Sequence, residues 1–75
     1  MDKHPLDEPI RLILREVSQR TAEAAQIAKA ALACAEAGGV NEAATLSMDI
    51  EQVIYETGRL QDAVSLLNRL SKERP

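Results

Sequence analysis

The chain has 75 residues, a formal net charge of -3 and one aromatic side chain, Tyr55. That length allows one small domain, and 45% hydrophobic content with so little net charge excludes an extended disordered tail. Without Phe or Trp there is no platform on which bases or sugars could stack, and mild acidity runs against a nucleic-acid or anionic-membrane surface.

Residues 1–6 read as a flexible arm. The run from Met1 to Pro9 has no apolar core and includes Asp2, Asp7 and Glu8, so a signal peptide is not expected. No uncharged stretch approaches the roughly 20 residues of a membrane span. Cys34 is the single cysteine, which rules out an intrachain disulfide and suits a reducing, cytoplasmic setting.

A first helix is expected over residues 7–37. Leu6, Ile10, Ile13, Val17, Thr21, Ala24, Ala28, Ala31 and Ala35 recur at steps of three and four. At about 100° per residue they form one stripe roughly 80° wide. Leu14, Ala25 and Leu32 widen it, and Arg11, Arg15, Gln19, Glu23, Gln26 and Lys29 lie opposite. Asp7 is placed as N-cap, Glu8 favours the helix dipole, and Pro9 is tolerated in the first turn. Gly38 can take the left-handed conformation that ends the helix, and residues 38–40 make the turn.

A second helix is expected over residues 41–73, with Asn41 as its N-cap. Its stripe is Ala43, Leu46, Ile50, Val53, Thr57, Leu60, Val64, Leu67 and Ser71, an unbroken alternation of three and four. The stripe passes Gly58, where a kink or break at 57–58 is the alternative to one continuous helix. Lys72 and Arg74 complement the dipole at the C-terminal end, and Pro75 stops it.

The two stripes zip together about Gly38-Gly39. Ala35 with Ala43, Ala24 with Val53, Thr21 with Thr57 and Ile10 with Leu67 are pairs whose numbers all add to 77 or 78. The fold class that follows is all-α, a long antiparallel helical hairpin. Thr21 and Thr57 make a polar layer in the seam, with each hydroxyl bonded back to its own helix.

Each helix carries a second apolar line: Leu12 and Ile27 on the first, Met48, Tyr55, Leu66 and Leu70 on the second. A lone hairpin leaves these in water. Two copies joined as a four-helix bundle would cover them, so a homodimer is expected. The same six side chains are the candidate interface for a protein partner, Tyr55 and Met48 foremost.

No catalytic, metal or cofactor site is expected. The single histidine, His4, stands alone in the arm, and no Glu-x-x-His pair offers metal ligands. Cys34 lies among alanines with no His or basic neighbour to activate it, and reads as a small packing residue. Asp49, Glu51 and Glu56 read as a solvated face. The reading is a small non-catalytic interaction protein, a homodimeric scaffold or adaptor.

Two resemblances define the alternatives. The segment Tyr55-Glu56-Thr57-Gly58-Arg59-Leu60-Gln61-Asp62-Ala63 to Pro75 resembles the second half of a tetratricopeptide repeat, through Gly58, Leu60, Ala63 and Pro75. It implies a helix break at Gly58 and a small chaperone built of helix pairs. Glu51 departs from the repeat, and no second copy follows. The dimeric architecture, with Arg11, Arg15 and Lys29 on one outer face, is similar to that of the Rop-type plasmid copy-number regulators, which bind RNA. That similarity implies a nucleic-acid-binding regulator.

Overall fold

The computed structural model describes residues 5–73. His4, Arg74 and Pro75 lie outside the described residues. Helix α1 spans Asp7–Glu36 and helix α2 spans Val40–Glu73, packed against each other as an antiparallel hairpin. Its extents of 59 × 20 × 11 Å make a slab two helices wide and one helix thick.

The turn shows why two glycines stand together. Gly38 has φ of 102°, the left-handed region that a side chain disfavours. The Gly38 amide donates to the Ala35 carbonyl and the Gly39 amide to the Cys34 carbonyl, both at 3.0 Å. This is a Schellman closure, which satisfies carbonyls left open at the end of α1. Gly39 meets a different constraint, one of space. A β-carbon there would lie 3.0 Å from Cys34 Sγ and 3.3 Å from a Glu42 carboxylate oxygen. The Gly39 carbonyl accepts from the Ala43 amide at 2.8 Å, so α2 starts directly out of the closure.

Both N-caps lie earlier than the sequence expectation, Leu6 one residue before Asp7 and Gly39 two before Asn41. Asp7 is the first residue of α1 rather than its cap, and the Ile10 amide bonds the Leu6 carbonyl. Val40, not Asn41, opens α2. Asn41 instead lies inside the first turn, where its carbonyl accepts from Thr45 Oγ1 at 3.1 Å. Asp7, Glu8 and Glu42 occupy first turns, and Lys72 the last turn of α2, each on the side the macrodipole favours.

The α2 stripe falls in the seam. Ala43 and Val53 are buried, and Ile50, Thr57, Leu60, Val64, Leu67 and Ser71 are half-buried, while Leu46 of the expected stripe is exposed, on the edge of the seam. The helix runs through Gly58 without interruption, so the break implied by the tetratricopeptide resemblance is not present.

The α1 stripe needs a correction. Thr21 and Ala28 are exposed, while Arg20 and Ile27 are half-buried. The seam on α1 is Leu6, Ile10, Ile13, Val17, Arg20, Ala24, Ile27, Ala31 and Cys34, with strictly alternating steps of four and three. Helices that stay in register over this length follow a repeat of 3.5, whereas the expected stripe drifted with the 3.6 of a straight helix. Ile27 therefore belongs to the seam and not to an outer apolar line. The two threonine hydroxyls do bond within their own helices: Thr21 Oγ1 to the Val17 and Ser18 carbonyls at 3.0 Å, and Thr57 Oγ1 to the Val53 carbonyl at 2.7 Å.

Candidate interaction surface

Among the described residues, only Ala31, Ala43 and Val53 are buried, and no side chain is fully enclosed. Leu12, Leu14, Leu32, Val40, Leu46, Met48, Ile54, Tyr55, Leu66 and Leu70 are all exposed. A slab one helix thick has no second layer to cover them. The surface, not a cavity, is where this chain can act.

Arg20 organises the middle of the slab. Its aliphatic stem lies in the seam while the guanidinium reaches out to acids on both helices. Nε donates to Glu16 at 3.0 Å, and Nη1 donates to Glu56 across the hairpin. The hydrogen bond to Glu16, and then the charge of Glu56, raise the Arg20 pKa from its usual value. Gln52 Nε2 also donates to Glu56, at 2.8 Å. The spacing of four between Glu16 and Arg20 is legible in the sequence, whereas the Glu56 partner on α2 is not.

The two broad faces of the slab differ in charge. On the Arg20 side, helical period gathers Glu16 and Glu23 from α1 with Glu42, Asp49 and Glu56 from α2. A shallow hollow there, lined by Asn41, Glu42, Thr45, Leu46 and Asp49, has no polar side chain buried in it. The opposite face carries a groove of about 350 Å³ along the seam, lined by Val17, Thr21, Ala24, Ile54, Thr57, Gly58 and Gln61. Every lining residue is uncharged. A β-carbon on Gly58 would meet nothing within 4 Å, so the groove is open at that point.

The six residues singled out by sequence do not form one patch. Met48 and Tyr55 stand seven apart on the outer edge of α2, 66% and 59% exposed. Arg59 Nη1 donates to Tyr55 Oη at 2.9 Å, and its guanidinium lies 5.8 Å from the ring centroid. By helical period Leu12, Leu66 and Leu70 share the acidic broad face, at its open end. Ile27 is in the seam. Sequence reasoning missed Ile54, 61% exposed on the rim of the groove. The available signal was its place one residue after Val53 in a strict heptad, which sets it beside the seam.

Cys34 is half-buried under the turn, its Sγ 3.4 Å from the Gly39 carbonyl. Arg11, one of three cations on the outer face of α1, is engaged by Glu8. Among the described residues, no three of His, Cys, Asp and Glu come together around one point, and no helix is long and apolar enough to cross a membrane.

No family model, no curated protein and no solved structure matches this chain. Its surface must speak for its function.

Proposed function

We propose that this is a small non-catalytic helical interaction protein that acts as a homodimer, two hairpins joined as a four-helix bundle that serves as scaffold or adaptor for another protein. One observation carries the reading: three buried residues stand against ten exposed large apolar side chains among the described residues. Exposed apolar surface on this scale marks a site of association, and a chain this small gains most of its missing core from a partner. The lone thiol of Cys34, tucked under the turn, fits a cytoplasmic protein.

Sedimentation equilibrium at micromolar concentration tests the reading. A mass twice the 8.2 kDa of one chain is expected. A helical, folded monomer would overturn it. Met48 and Tyr55, on the outer edge of α2, are the side chains offered to a protein partner: Tyr55→Ala is expected to leave the dimer mass unchanged and to lower affinity for that partner.

A further inference from the structure

We infer that the second copy docks on the broad face that carries the uncharged groove, with the partner's Ile54 seated in the groove beside Gly58 and the reciprocal contact made across a two-fold axis. This rests on the homodimer reading and names its surface and geometry.

Charge selects the face. The chain is net acidic, and two copies meeting on the Arg20 side would bring together two sets of five carboxylates, Glu16, Glu23, Glu42, Asp49 and Glu56. The groove side carries no charge on α1 between Leu14 and Ala35, and on α2 only Glu51 interrupts it before Lys72. Like copies meet there without facing like charges. The area suffices: a face 59 Å long and 20 Å wide exceeds the roughly 800 Å² per partner of a stable interface.

Side-chain size selects the axis. The groove lies near the middle of both helices, at the level of Thr21 and Thr57. A two-fold axis crossing the slab at that level lays α1 on the partner's α1 and α2 on the partner's α2, both antiparallel. Ile54 then falls over the partner's Gly58 and Leu14 over the partner's Ala28, each large residue on a small one. Glu51 meets the partner's Gln61 rather than its own duplicate. Thr21 lies on the axis and meets itself. An interface of this kind is isologous and closes at two copies. Gly58, which no contact within the hairpin requires, has its role here: it keeps the groove open.

Three variants of the full chain test this by sedimentation. Gly58→Leu fills the groove from within its own protomer while improving helix propensity, and Ala25→Glu plants a charge on an exposed position of the same face. Each is expected to weaken dimerisation at least tenfold with helicity retained. Tyr55→Glu, on the outer edge, is expected to leave it unchanged. Thr21→Cys in a Cys34→Ser background is expected to form a disulfide-linked dimer under mild oxidant, and Tyr55→Cys in the same background is not. A wild-type dimer unmoved by Gly58→Leu and Ala25→Glu, or dissociated by Tyr55→Glu, overturns the face. A dimer that does not link through Thr21→Cys overturns the axis. A wild-type monomer sinks the homodimer reading itself, and the inference with it.

Discussion

At the scale of single residues, the turn makes two demands that look alike in the sequence. Gly38 answers a backbone demand, since its φ of 102° is costly for any residue with a β-carbon. Gly38→Ala is expected to cost about 1–2 kcal/mol, read from chemical denaturation. Gly39 answers a packing demand, because its missing β-carbon makes room for Cys34 Sγ. Gly39→Ala is therefore expected to destabilise, and Cys34→Ala to recover part of the loss in the double variant, a coupling that Gly38→Ala with Cys34→Ala does not show. The diglycine was legible as a helix end because left-handed backbone has a strong residue preference. The fit against Cys34 was not, because it depends on where a side chain five residues back is carried by the last turn of α1. Asp7 and Asn41 have the chemistry of caps, but both stand inside their helices, whose first bonds are accepted by the carbonyls of Leu6 and Gly39.

At the scale of the helices, hydrophobic periodicity was enough for α2 and not for α1. The α2 seam is apolar almost throughout, so its heptad is visible in the residue types. On α1 the heptad passes through Arg20, which a search for apolar residues steps over, landing on Thr21 and then Ala28. The charge is tolerated because the guanidinium leaves the seam to meet Glu16 and Glu56. This cross-helix bridge fixes register as well as contributing attraction. Arg20→Glu adds a third acid between Glu16 and Glu56 and is expected to lower the thermal midpoint. Glu56→Arg added to it is expected to restore part of the midpoint, and the gap between single and double variants should narrow at about 1 M salt, where screening is short-ranged. Near the turn a different constraint operates. Ala31 and Ala43 are two of the three buried residues, so the helices approach closely there on small side chains. Ala31→Leu is expected to force them apart at a cost of about 1–3 kcal/mol, read by denaturant titration.

At the scale of the whole molecule, the deficit of core was the most legible property and its remedy the least. Composition and the two stripes already imply a hairpin with apolar residues to spare, and the fold has that form. Which of those residues share a face depends on the supercoiled seam, and a one-step error on α1 moved Ile27 outward and left Ile54 unnoticed. A dimer whose folding depends on its partner has a thermodynamic signature that no monomer shares: its stability rises with its own concentration. If two copies fold and associate in one step, a tenfold increase in protein concentration adds about 1.4 kcal/mol to the stability of the folded dimer. For a bundle of this size that corresponds to a rise of roughly 3–6 °C in the thermal midpoint. Melting curves followed by circular dichroism across two decades of concentration should show this rise in the wild type. Gly58→Leu, with the groove filled from within, should melt below the wild type at every concentration. A midpoint independent of concentration in the wild type would mean that the hairpin is stable on its own seam, and that its exposed leucines are surface without a task.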